Sequence, residues 1–216
     1  MSKNVYIWEF PVRLTHWLNV LSIITLAFTG FYIGAPFIHA VTEDELIMST
    51  MRFIHFVAAY LFSVSVLVRI YWWFAGNKYA KYDQFVPKTG ERVKNAVDTG
   101  LFYAFLKKEI PYAPGHTGLA GIAYTFLFFL FIVEILTGFA LYSMAHGGGA
   151  LWTLLGGWTL AIFTAGTIRL FHHVIMWLIV IFVIAHVYIS WHNDLFEKNG
   201  LMSSIFSGYK HMEDKH

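Results

Sequence analysis

The sequence predicts an all-α membrane protein: a bundle of four transmembrane helices, with an interfacial or re-entrant segment before the last one. Three observations predict it. The 216 residues are 57% hydrophobic and only 13% charged, with a mean hydropathy of +0.57, a balance few soluble domains show. Four apolar runs are long enough to cross the roughly 30 Å hydrocarbon core of a bilayer. With four spans, Lys and Arg gather on one side of the membrane, which makes that side cytoplasmic.

The expected spans are about 15–34, 53–74, 119–144 and 170–191. The first, around WLNVLSIITLAFTGFYI, has His16 at its entrance behind PVRLT. The loop to Thr50 carries Glu43, Asp44 and Glu45 but no Lys or Arg. The second span opens with Arg52 and His55 and has Arg69 near its end. A polar stretch follows, in which Glu91 to Glu109 can form an amphipathic surface helix. The third span contains Glu134, a carboxyl group that must find a partner, face a cavity or be protonated.

Ala150 to Ile168 is apolar but interrupted by Gly156, Gly157 and Gly166. The charges decide against a fifth span. With four, one side receives Lys3, Arg13, Arg69, Lys78, Lys81, Lys88, Arg92, Lys94, Lys107, Lys108, Lys198, Lys210 and Lys215, and the other only Arg52 and Arg169. Both termini are then cytoplasmic, and a fifth span would spoil the asymmetry. The opening MSKNVYIWEFPVR lacks the apolar core of a cleavable leader.

The last span, FHHVIMWLIVIFVIAHVYISW, has no Asp, Glu, Lys or Arg, yet holds His172, His173 and His186. An ionisable ring inside lipid marks a functional site by default. At about 100° per residue, His172 and His186 fall within about 40° of one another around the helix, roughly 21 Å apart along it. His173 points largely the other way. One helix thus offers an imidazole near each membrane surface, on a common side.

Helix direction then pairs the histidines by depth. The first helix leaves the cytoplasm, so His16 is inner. The second and fourth descend, so His55 and His172 are outer and His186 is inner. The depth-matched pairs are His16 with His186 and His55 with His172. Neutral imidazole is a good iron ligand, and a six-coordinate haem needs two axial ligands. Two such pairs fit two haems packed between helices and stacked across the bilayer. Single histidines at helix ends more often cap or hydrogen-bond; the depth-matched set argues for ligation.

The remaining signals are weaker. Arg13 and Arg69 inside, and Arg52 and Arg169 outside, are candidate partners for haem propionates, although interfacial anchoring is as good a reading for each. Gly30 and Gly138, each following a Thr, can clear room for a macrocycle or for close helix contact. His116, in PGHTG before the third span, is a candidate for a quinone site, with Tyr112 and Tyr124 weaker. His39, His146, His211 and His216 read as solvated loop or tail residues, His173 as an outer-surface hydrogen bonder and His192 as interfacial. The chain has no Cys, so it carries no disulfide, Cys-ligated iron–sulfur cluster, c-type haem attachment or thiolate active site of its own.

WEFPVRLTHW, MRFIHFVAAYLFSVSVLVRIYWWFAGNKY, LTGFALY and HHVIMWLIVIFVIAHVYISW closely resemble the b-type cytochrome subunit of membrane-bound nickel–iron hydrogenases, from about Tyr6 to Tyr209. The wider group includes formate dehydrogenase cytochrome subunits and bacterial b561 cytochromes. The resemblance implies a single di-haem cytochrome b domain over 1–216 in the inner membrane. It implies haem ligands at His16, His55, His172 and His186. It implies partners in the hydrogenase small and large subunits on the periplasmic face, and quinone as electron acceptor. The loop Gly115-His116-Thr117-Gly118 departs from the family's frequent Gly-His-Asn-Pro, so the resemblance lends it no quinone role. The rival expectations are a formate dehydrogenase-type partner, a stand-alone b561-type oxidoreductase, and a non-redox anchor or transporter.

Overall fold

The computed structural model describes residues 2–37, 46–144 and 149–213. His39, Glu43, Asp44, Glu45, His146, Lys215 and His216 lie outside them. The described chain is helical apart from one short strand pair. Four helices are long and apolar enough to cross a membrane: α1 (Phe10–Gly34), α2 (Ile47–Ala75), α4 (Gly118–Ser143) and α6 (Ala165–Glu197). Each carries large side chains exposed along it, such as Ile24, Leu67, Phe129 and Ile184. In a multi-pass membrane protein these face acyl chains, which is why they need no protein cover.

Helices α1, α2 and α6 overrun their expected limits for a common reason, whereas α4 matches its expected span to within one residue at each end. Hydropathy marks where a helix meets lipid, whereas the helix itself ends where its backbone hydrogen bonds end. So α2 starts at Ile47, through the polar Ser49 and Thr50, with the Thr50 amide bonded to the Leu46 carbonyl at 2.8 Å. Helix α6 spans 33 residues, about 50 Å at 1.5 Å per residue, well beyond the hydrocarbon core. Pro11 stands in the first turn of α1, where a missing N–H costs nothing.

The expected surface helix forms as α3 (Gly90–Tyr103), N-capped by the Thr89 side chain, but stops short of Glu109. Phe105 takes φ 62°, and the Leu106 amide closes on the Leu101 carbonyl at 2.8 Å, a left-handed C-terminal closure. The awkward stretch before α6 folds as a π turn, Trp152–Gly156, and a six-residue helix, α5 (Gly157–Ile162), which ends where Phe163 turns extended. That is far too short to cross a bilayer. A side chain at Gly156 would collide with Ser143 Oγ and Cβ.

The chain divides into two compact units. One comprises 17–66 and 129–182, and there the four long helices touch in a closed ring. Gly30 of α1 faces His55 of α2, Tyr60 of α2 meets Phe139 of α4, Gly138 of α4 faces His172 of α6, and Phe31 of α1 meets Trp177 of α6. The other comprises 1–16, 67–128 and 183–216. It holds α3, α7 (Leu201–Ser207) and an antiparallel pair of β1 (Ser2–Tyr6) and β2 (Tyr209–Glu213), which ties the two ends of the described chain together. Gly208 makes the turn at φ 89°, against Tyr6 and the Trp8 carbonyl.

Glu9 fastens this end to α2. Its Oε2 accepts from Trp72 Nε1 and from the Asn77 amide, both at 2.8 Å, while Asn77 Nδ2 donates to the Ile7 carbonyl at 3.0 Å. Glu9→Ala strands two donors and is expected to cost about 1–3 kcal/mol, whereas Glu9→Gln keeps an acceptor and most of that stability. Thermal unfolding in detergent measures both; an unchanged midpoint in Glu9→Ala would remove the fastening role.

Candidate functional site

The four span histidines fall two to a unit. His55 and His172 lie in the unit of 17–66 and 129–182, His16 and His186 in the other. Within each unit the two rings come from different helices and are close enough to interact electrostatically. All four are half-buried. Among the described residues no three His, Asp or Glu side chains gather as a metal site of their own.

The first pair is held by one device used twice. His55 Nδ1 lies 2.8 Å from Thr29 Oγ1 of α1. His172 Nδ1 lies 3.0 Å from Thr137 Oγ1 of α4. The glycine after each Thr makes the space. A Cβ at Gly30 would stand 3.4 Å from His55 Cε1, and one at Gly138 only 3.1 Å from His172 Cε1. Glu134 meets its requirement for a partner on one side: Oε1 is 3.3 Å from His172 Nδ1, while Oε2 has no hydrogen bond among the described residues.

The second pair has a different surround. His186 Nδ1 is 3.1 Å from the Tyr124 hydroxyl and 3.5 Å from Ser190 Oγ. The Tyr124 ring sits 4.9 Å from that of His116. His116 is also flanked by Trp8 at 4.9 Å and Phe85 at 5.3 Å. Arg69 lies over Phe85, 5.1 Å from its centroid, and is 7% exposed. Desolvation holds the His116 pKa well below its ordinary value, assisted by Arg69, Lys210, His186 and Arg92.

Of the candidate propionate partners, Arg69 is buried and Arg13 half-buried, the latter donating to the Phe206 carbonyl. Arg52 and Arg169 are exposed. Tyr112 is exposed, and His173 is exposed with Nδ1 2.9 Å from the Arg169 carbonyl of its own helix. His192 stacks on Phe196 at 4.6 Å, and His211 is exposed. Sequence reasoning noted the threonine before each glycine but gave it no role. The available signal was the Thr-Gly-Phe repeated at 29–31 and 137–139. Lys210, buried at 2% exposure, gave no signal in a polar tail; desolvation lowers its pKa against the pull of Glu197 and Asp194.

A haem fits what these residues offer. Each unit brings two imidazoles from different helices within electrostatic reach. Nδ1 of His55, His172 and His186 each faces a hydroxyl, and glycines clear the ring edges of the first pair. His55 and His172 could hold one group, His16 and His186 another.

The sequence pattern of the prokaryotic cytochrome b561 family matches residues 7–208. A protein of Cupriavidus necator named "Probable Ni/Fe-hydrogenase B-type cytochrome subunit" is 39% identical, over 98% of this chain and 89% of its own length. One of Rhizobium leguminosarum bv. viciae with the same name is 34% identical over 99% and 91%. The "Probable Ni/Fe-hydrogenase 1 B-type cytochrome subunit" of Escherichia coli K12 is 36% identical over 97% and 93%.

The lowered pKa of His116 has a pH signature. The unfolded chain takes up a proton near pH 6.5 while the folded ring stays neutral. The contribution to stability is therefore complete above that pH and is lost on acidification, by about 1.4 kcal/mol per pH unit. His116→Phe is expected to flatten the fall in unfolding midpoint between about pH 6.5 and 5; an equally steep fall would contradict the assignment.

Proposed function

Because the chain belongs to the prokaryotic cytochrome b561 family, we propose that it is the membrane electron-transfer subunit of a nickel–iron hydrogenase, carrying electrons from hydrogen oxidation through two b haems to quinone. The observation that carries the reading is the grouping of His16 with His186 and of His55 with His172, each pair within one unit and within electrostatic reach. The names of the relatives in three bacteria supply the partner. Haem b, when bound, supplies reversible one-electron transfer at its iron.

This chain's residues then have separate tasks. His55 and His172 would hold the outer haem, and His16 and His186 the inner one. Arg69 and Arg13 balance propionates at the inner site, and Arg52 and Arg169 do so at the outer surface. The Lys and Arg asymmetry supports an inner-membrane protein with both termini cytoplasmic. The outer haem then faces the periplasm, where the small subunit's iron–sulfur cluster delivers electrons and the catalytic large subunit is anchored. Hydrogen activation belongs to those partners, because a chain with no Cys cannot supply thiolates to nickel. Quinone meets the inner site beside His116 and Tyr124, where the phenol reaches both His186 and the His116 ring.

The family description itself favours one second reading, a stand-alone b561-type oxidoreductase. Purification separates the two, since that reading requires quinone-linked activity from the lone chain. A formate dehydrogenase-type partner is the other alternative, and the relatives' names weigh against it.

Ligation is tested by haem content after alanine substitution. His55→Ala and His172→Ala are each expected to remove the same haem, and His16→Ala and His186→Ala the other, so that each halves the pyridine-haemochrome yield per chain. A full complement in both His55→Ala and His172→Ala would overturn the outer site.

A further inference from the structure

We propose that Thr29 and Thr137 are a matched pair of positioning residues for the outer haem, fixing the tautomer and donor strength of its two axial histidines. The proposal rests on the reading of His55 and His172 as ligands, and goes beyond it to residues that never touch the iron.

The hydroxyl protons settle the tautomer. Thr29 Oγ1 lies 2.7 Å from the Thr25 carbonyl, an acceptor only, so its proton is committed inside α1. What remains toward His55, 2.8 Å away, is a lone pair, and Nδ1 must carry the hydrogen. Thr137 repeats the arrangement in α4. Its Oγ1 donates to the Val133 carbonyl at 2.8 Å and accepts from His172 Nδ1 at 3.0 Å. With Nδ1 protonated, the Nε2 lone pair of each ring is left for a metal.

Two helices thus carry the same Thr-Gly device: the hydroxyl of Thr29 or Thr137 faces one imidazole Nδ1, and the glycine after it, Gly30 or Gly138, lets the ring come close. His172 Nδ1 has in addition Glu134 Oε1 at 3.3 Å. Thr25 shows the ordinary alternative, its hydroxyl bonded back to the Leu21 carbonyl of its own helix. At the inner site a phenol faces His186 instead. An acceptor on Nδ1–H raises the basicity of the coordinating nitrogen and so favours ferric iron. The two threonines together hold the outer haem at a lower potential than its ligands alone would set.

The test uses the whole complex in purified membranes, with Thr29→Val, Thr137→Val and the matching Ser variants. Readouts are a potentiometric titration of the b-haem absorbance, the low-spin ferric EPR signal and haem content. Each Val variant is expected to raise the midpoint of one haem, shift that haem's EPR signal, and weaken its retention about 10- to 100-fold. The other haem stays in place, and the Ser variants match the wild type. Thr29→Ala and Thr137→Ala remove the hydroxyl without added bulk and give the same readouts where a Val variant does not assemble. Unchanged midpoints and EPR signals in the Val and Ala variants, or a Ser variant displaced as far as Val, would overturn the proposal. Failure of the underlying reading looks different: His55→Ala and His172→Ala would then retain every haem.

Discussion

A histidine placed inside a lipid bilayer must find an acceptor for its ring N–H within the protein, because acyl chains offer none. Nδ1 of His55 and of His172 faces a threonine hydroxyl of the neighbouring helix, and Nδ1 of His186 faces the Tyr124 phenol. In each case the opposite nitrogen is left for something else. Gly30 and Gly138 follow from the same need, since a ring can come close to a helix only where that helix has no side chain in the way.

The two units meet the requirement with different chemistry. The first pair is set against threonine hydroxyls tied to their own helices, with the Glu134 carboxyl beside His172. The second pair opens, through Tyr124 and His116, onto Arg69, Arg92 and Lys210. The proton-bearing side chains around the second pair suit the proposed delivery of electrons to quinone, whose reduction consumes protons.

Much of this was legible in the sequence. Long apolar runs identify spanning helices because lipid demands them, and helix direction with depth groups His16 with His186 and His55 with His172. What escaped has physical reasons. Hydropathy missed the start of α2 at Ile47, because a helix continues through Ser49 and Thr50 without needing lipid. The pairing of Lys3 with Met212 joins residues at opposite ends of the chain, which no local pattern encodes. Phe105 in a left-handed conformation has no intrinsic preference for it. Thr29 and Thr137 read as ordinary helix residues until the rings beside them are placed.

The most direct measurement is a difference spectrum of native membranes, taken first under hydrogen and then with dithionite. A b-type band that develops under hydrogen and vanishes when the gene for this chain is deleted is the predicted result. A band that appears only with dithionite would leave a cytochrome without its hydrogenase, and no band dependent on this chain would contradict the haem assignment itself.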